Sequence, residues 1–193
     1  MIEKLITRQN SRLAVNAPTR VLIIKTSSLG DVIHNFPMVS DINIKFPACT
    51  IDWLVEEAYV PLVKLHPSVH RIIPISLRRW RRSIFSRTTW QEVGSCIHEI
   101  KRHSYDLVID SQGLIKSAVL AKLARGPSCG FGAGYARESL AGMSYDIGIK
   151  IDRDQHMLDR CRKLTASALS YQAPEKPNYG LIKNNTTASQ SNK

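Results

Sequence analysis

Arg20-Val-Leu-Ile-Ile-Lys-Thr-Ser-Ser-Leu-Gly-Asp31 is the stretch on which the fold turns. Val21, Leu22, Ile23 and Ile24 follow one another without a polar interruption, and the run ends in a cluster of small residues. A strand with one face in water alternates apolar and polar side chains. A strand covered on both faces, as in a parallel sheet, reads as a continuous run. From Val32 the period changes. Val32, Phe36, Val39 and Ile42 fall at helical spacing over 32–45, with Pro37 early enough to be tolerated and able to kink the axis. Buried strand, small-residue turn and helix together make half of a βαβ unit.

The alternation continues outward. Residues 50–55 read as a second strand and 58–65 as a short helix. Residues 69–75 read as a third strand, in which Pro74 marks either a position near an edge or an early end. A helix over 89–101 is followed by a strand over 105–110. The turn Ser-Gln-Gly then opens a helix over 114–124. Residues 127–131 make a weak strand and 147–151 a better one, and Asp154 is placed to cap a helix running to about 169. This is an α/β pattern, a mostly parallel sheet with helices on both faces. Residues 1–19 form a polar N-terminal extension and 20–177 the domain. From 178 the sequence is small, polar and aperiodic, which predicts a disordered tail. No internal repeat of fixed period is present.

Composition narrows the function. A chain of 193 residues, 43% hydrophobic and 22% charged, is globular and long enough to bury a core without disulfides or metal. The net charge of +11 points to an anionic partner: nucleic acid, a membrane surface, or a phosphorylated or carboxylated small molecule. No apolar run approaches the ~20 residues of a membrane span. The opening residues also lack the apolar core of a signal peptide. Cys49, Cys96, Cys129 and Cys161 form no CxxC pair, which argues against a zinc ribbon or a dithiol site and predicts free, mostly buried thiols in a reducing compartment.

In an open α/β sheet, ligands bind beyond the carboxyl ends of the strands. At the first such end, Ser27, Ser28 and Gly30 bring small residues and backbone N–H groups to a helix start, Lys25 adds charge, and Asp31 falls in the first helical turn. Asp31 is either a cap for that helix or a general base for an alcohol. The loop is neither a Walker A sequence nor GxGxxG. The second feature is Leu77-Arg-Arg-Trp-Arg-Arg-Ser-Ile-Phe-Ser-Arg87, five arginines without an acidic residue, on the same rim because it follows the third strand. If helical, Arg78, Arg81 and Arg82 share a face suited to phosphate or carboxylate. Trp80 and Phe85 then pack inward or lie in a lipid interface, and the plain alternative is a solvated basic helix. Asp152 and Asp154 match the DxD pattern of metal-dependent sugar transferases, but capping accounts for them. Pro67 breaks the helix that would present His66 and His70 together. His34, His98, His103 and His156 show no ligand spacing. The four glycines of 126–134 suggest a flexible loop near the rim, and Arg137 with Glu138 is a surface ion pair or a site.

Five stretches carry a family resemblance: Val-Leu-Ile-Ile-Lys-Thr-Ser-Ser-Leu-Gly-Asp-Val-Ile-His at 21–34, Asp-Trp-Leu-Val-Glu-Glu at 52–57, Ile-Pro-Ile-Ser-Leu-Arg-Arg-Trp-Arg-Arg at 73–82, Tyr-Asp-Leu-Val-Ile-Asp-Ser-Gln-Gly-Leu-Ile-Lys-Ser at 105–117 and Ala-Arg-Glu-Ser-Leu-Ala at 136–141. In this order the chain resembles the lipopolysaccharide heptosyltransferases of glycosyltransferase family 9. The resemblance implies a Rossmann-like sheet that forms the N-terminal half of a GT-B enzyme. The implied reaction is inverting, metal-independent and cofactor-free transfer of heptose from ADP-heptose to Kdo-lipid A. The implied location is the cytoplasmic face of the bacterial inner membrane, bound peripherally to its anionic surface. It makes Asp31 the catalytic base. It makes Lys25, Ser27, Ser28, Gly30, Arg78, Arg81, Arg82 and Arg137 acceptor-binding, with the arginines on acidic sugars or phosphates. The family's second domain carries most of the ADP-heptose site, and no stretch after 181 resembles it, so a truncated, inactive form is expected. Residues 1–19 precede the family's usual start, as a mis-assigned initiation codon would produce. Two other readings compete. A basic nucleic-acid-binding α/β module has the charge but no recognised binding motif. A small flavodoxin-like nucleotide enzyme lacks its glycine fingerprint.

Overall fold

The computed structural model describes residues 17–181. Expectations for 1–16 and 182–193 lie outside the described residues. The elements in chain order are β1 (Arg20–Ile24), α1 (Leu29–His34), α2 (Phe36–Lys45), β2 (Thr50–Glu56), a 3-10 turn (Glu57–Tyr59) leading into α3 (Val60–Val63), β3 (Val69–Ile75), α4 (Leu77–Trp80), α5 (Arg87–Lys101), β4 (Leu107–Asp110), α6 (Ile115–Leu123), β5 (Ser128–Phe131), α7 (Ser139–Ser144), β6 (Ile147–Ile149) and α8 (Met157–Ala168). The strands form one sheet in the order β3-β2-β1-β4-β5-β6. Every neighbouring pair is parallel. This is the Rossmann order, in which the chain winds from the centre to one edge and then to the other, leaving a crevice at the β1/β4 switch point. The strand containing Pro74 is at an edge, where a missing N–H does least damage.

β1 shows why its sequence is a continuous apolar run. Val21 and Ile23 enter one core, with Phe36, Val39, Trp53 and Cys161. Leu22 and Ile24 enter the other, with Trp80, Ile100 and Ala121. All four are fully buried, so neither face of the strand tolerates a polar residue. The four cysteines are buried and unpaired, as expected. No helix among the described residues is long and apolar enough to cross a membrane.

Four local expectations are corrected. The helix read over 32–45 is two helices meeting at Asn35. Pro37 cannot donate to the carbonyl one turn back, and the Asn35 side-chain amide donates to the Asp31 carbonyl at 2.7 Å, closing α1. Asp154 does not cap α8. His156 does, its Nδ1 accepting the Leu158 N–H at 3.3 Å, while Asp154 stays exposed upstream. The glycine-rich 126–134 is not a loose loop, because Gly130 lies within β5 under the Tyr145 ring, where any side chain would collide with that ring. The chain at 178–181 is docked rather than free. Tyr179 packs on the core, and Gly180 sits against His66 and Ser40.

Candidate active site

The carboxyl end of β1 is held from three sides. The Trp53 indole N–H donates to the Lys25 carbonyl at 3.2 Å. Gln112 Oε1 accepts from the backbone N–H of Thr26 (3.1 Å) and of Ser27 (3.3 Å). Gln112 is held in turn by Asp110, whose Oδ1 accepts the Gln112 N–H at 2.8 Å and whose Oδ2 accepts from the Tyr145 hydroxyl at 2.7 Å. Burial pushes the Asp110 carboxyl above its ordinary range, against the pull of those donors. The switch point is therefore a hydrogen-bonded chain running from Tyr145 through Asp110 and Gln112 to the loop after β1.

Within that frame the Lys25 side chain is fully buried. Its ammonium donates to the Ser111 carbonyl at 3.2 Å and lies 3.9 Å from Asp31 Oδ2. Burial pushes the ammonium below its usual pKa; Arg137 adds to the fall and Asp31 opposes it. Asp31 accepts from the Ser28 N–H (3.3 Å) and the Ser28 hydroxyl (3.4 Å), a capping box at the start of α1. Both hydrogen bonds and the Lys25 contact fall on Oδ2. Oδ1 accepts no hydrogen bond from the described residues. Capping therefore engages Oδ2 and leaves Oδ1 without a hydrogen bond from the described residues.

The other predicted residues distribute unequally. The N–H groups of Ser27 and Ser28 donate to Gln112 Oε1 and to Asp31 Oδ2. Around Gly30 the space is open. Arg78, Arg81 and Arg82 are exposed on α4 and the turn after it, at the carboxyl end of β3. That end lies two strands from β1, about 10 Å along the rim. Glu56, at the end of β2, links the two positions: its N–H donates to the Thr26 carbonyl at 3.1 Å, and its Oε1 accepts the Arg78 N–H at 3.1 Å. Arg79 instead pairs with Glu57 and Glu92. Trp80 packs inward and donates to Glu92, whereas Phe85 is 96% exposed. Arg137 is exposed past β5, with its backbone against Gly113. It makes no ion pair with Glu138, whose carboxylate accepts the Ile115 N–H at 2.6 Å.

Residues that sequence spacing did not single out also converge here. His34, one turn after Asp31, meets His156 edge to face with ring centroids 4.8 Å apart. No group of three or more His, Cys, Asp or Glu residues arranged to hold a metal occurs among the described residues.

Comparison with known proteins follows this geometry. Residues 93–193, just over half of the chain, match the family described as glycosyltransferase family 9 (heptosyltransferase). The chain is 41% identical over 157 residues to lipopolysaccharide heptosyltransferase 1 of Escherichia coli K12, covering 81% of this chain and 49% of that one. Against the protein of the same name from Pseudomonas aeruginosa it is 42% identical over 164 residues, covering 84% and 46%. The fold superposes on the E. coli heptosyltransferase WaaC with ADP at a TM-score of 0.81 and 40% identity, covering 83% of this chain and 51% of that one. The chain spans about half the length of the curated relatives it matches. The family match over just over half of the chain, the identity to the curated heptosyltransferases and the superposition on a solved one agree that this chain belongs to glycosyltransferase family 9, the heptosyltransferases.

Proposed function

We propose that this chain is the acceptor-side half of a lipopolysaccharide heptosyltransferase, an inverting enzyme that moves heptose from ADP-heptose to Kdo-lipid A with Asp31 as general base. The observation that carries this is the Asp31 carboxylate, fixed through Oδ2 with Oδ1 unoccupied. The acceptor hydroxyl donates to Oδ1, and its oxygen attacks the anomeric carbon of the heptose from the side opposite the diphosphate. The new C–O bond forms as the bond to the diphosphate breaks, the proton passes to Asp31, and ADP leaves with the electron pair. A single displacement inverts the anomeric centre. Lys25 steadies the carboxylate. Arg78, Arg81 and Arg82 hold acceptor phosphates or acidic sugars, and Arg137 assists. The donor nucleotide is held by the half of the relatives that this chain does not span.

The leaving diphosphate is met by cationic side chains rather than a metal ion, and no cofactor is required. Arg78, Arg81, Arg82 and Phe85 form a basic and aromatic patch suited to the anionic inner face of the bacterial inner membrane, where the acceptor lies. No nucleic acid partner is proposed, because the free arginines gather at a sheet rim and the relatives are sugar transferases.

The test joins residues 20–177 to the remaining half of the E. coli relative. Asp31→Ala is expected to lower heptose transfer by about 10²–10⁴-fold while acceptor binding persists. Chelation should leave the rate unchanged. A near-normal rate in Asp31→Ala removes that residue from the mechanism, and release of ADP by the 193-residue chain alone overturns the division of labour.

A further inference from the structure

Both ends of the short helix α7 are tied to one turn, the one that leaves β4. At the N-terminal end, the Glu138 N–H donates to the Gly113 carbonyl at 3.0 Å, and the Glu138 carboxylate accepts the Ile115 N–H at 2.6 Å. At the C-terminal end, the Tyr145 hydroxyl donates to Asp110 Oδ2 at 2.7 Å. The turn between these contacts is tight. Gly113 has φ of +68°, and a Cβ there would press on the Arg137 backbone nitrogen. α7 and the turn therefore close a ring, and the Tyr145–Asp110 hydrogen bond is the link that joins its ends.

Asp110 is fully buried, and no cation among the described residues forms a salt bridge with it. Its carboxyl is met by hydrogen-bond donors instead. The Tyr145 hydroxyl lies on Oδ2, and the N–H groups of Gln112 and Gly113 lie on Oδ1 at 2.8 and 3.3 Å. In a buried site water does not replace a lost donor, so each of these bonds counts for more than it would at the surface. Tyr145 is held by its own packing. It is 8% exposed, and its ring covers Gly130 so closely that no side chain fits there. On the far side of the turn, Gln112 Oε1 accepts the N–H groups of Thr26 and Ser27, in the loop that leads to Asp31.

We propose that Tyr145 is a positioning residue for Asp31, acting in series through Asp110 and Gln112 on the loop that carries the carboxylate. The proposal rests on the reading of Asp31 as the general base and adds a residue that acts on it only through the two side chains between them. A base must be held in line with the proton it takes, and a misplacement of about 1 Å costs about 10²-fold in rate. A loosened loop therefore lowers kcat and leaves KM in place.

Tyr145→Phe removes the hydroxyl and keeps the ring over Gly130, so a residue that only fills space there would not register the change. The first measurement is amide hydrogen exchange by NMR on the 193-residue chain, which needs no transferase activity. Exchange at Thr26 and Ser27 is expected to quicken about tenfold in Tyr145→Phe, while Ile23, within β1, keeps its rate. Gln112→Leu leaves the Tyr145–Asp110 bond in place and should quicken the same two amides. The double variant should go no further than Gln112→Leu alone, because links in series cannot be broken twice. The second measurement is turnover by the chain joined to the remaining half of the E. coli relative. There Tyr145→Phe is expected to lower kcat about tenfold, with KM for both substrates within about twofold. Unchanged exchange at Thr26 and Ser27 in either single variant, equal quickening at Ile23, or additive effects in the double variant overturns the proposal. Quickened exchange with an unchanged kcat overturns it too, since the loop would then move without consequence for the base. A joined enzyme that transfers no heptose sinks the reading of Asp31 instead, and the exchange rates still decide whether Tyr145 holds the loop.

Discussion

At the scale of single residues, the place of Asp31 was readable: the first helical turn after a central strand. Its capping role is visible in the contacts of Oδ2, and its role as a base is the part that is proposed. Gln112 and Tyr145 were not readable, because each works through a contact between segments far apart in sequence. Gln112 is the sharper case. Its side-chain oxygen is the acceptor for two backbone N–H groups, one of them on fully buried Thr26. Gln112→Ala leaves those donors unpaired in a space water does not freely fill, at a cost of about 1–3 kcal/mol. Urea titration of the chain checks this. A change well under that range would mean that the loop after β1 is held by Lys25 and Trp53 alone, and that Gln112 is incidental.

At the scale of elements, the strands were legible and their helices less so. β1 announced itself by an unbroken apolar run and β2 by an apolar run interrupted only by Asp52, while the edge position of β3 was one of two readings of its proline. α7 was invisible, being six residues with little apolar period and positioned by Tyr145 and Glu138 on either side. The helix that matters most for the site is α8. It carries His156 and Arg160 at its N-terminal end and is pinned to α2 by the buried Arg162–Asp41 pair, with Nε donating to Oδ2 at 2.6 Å. Removing one partner strands the other charge in the core. Asp41→Ala is expected to destabilise the chain by about 3–5 kcal/mol, and Asp41→Leu with Arg162→Leu to recover most of that loss. A double-mutant cycle by denaturant titration measures both. If the double variant is no better than the single, the loss comes from α2 packing and not from the stranded guanidinium.

At the scale of the molecule, a sheet covered on both faces buries its acids as well as its apolar side chains. Burial pushes the thiols of Cys49, Cys96 and Cys161 up to about 11 and that of Cys129 to about 12. It pushes the Tyr105 phenol to about 12 and raises Tyr145 and Tyr171 as well. In the unfolded chain these groups lose their protons near the ordinary values of ~8.5 for Cys and ~10 for Tyr, while the native state keeps them. The unfolded state then binds fewer protons, so stability must fall as pH rises from about 8.5 toward 12. Lys25 and Arg160, both pushed down by burial, contribute the opposite slope, but they are two groups against seven. Urea titrations between about pH 8 and about pH 10.5, at high ionic strength to screen the net charge, should show a steady loss of stability. Cys129→Ala should flatten that loss by one titrating group. The comparison is of slopes, because alanine also costs packing at every pH. A flat or rising profile would mean that the thiols are reached by solvent in the native state, and the two-sided burial that places Asp31 at a sheltered crevice would be wrong with it.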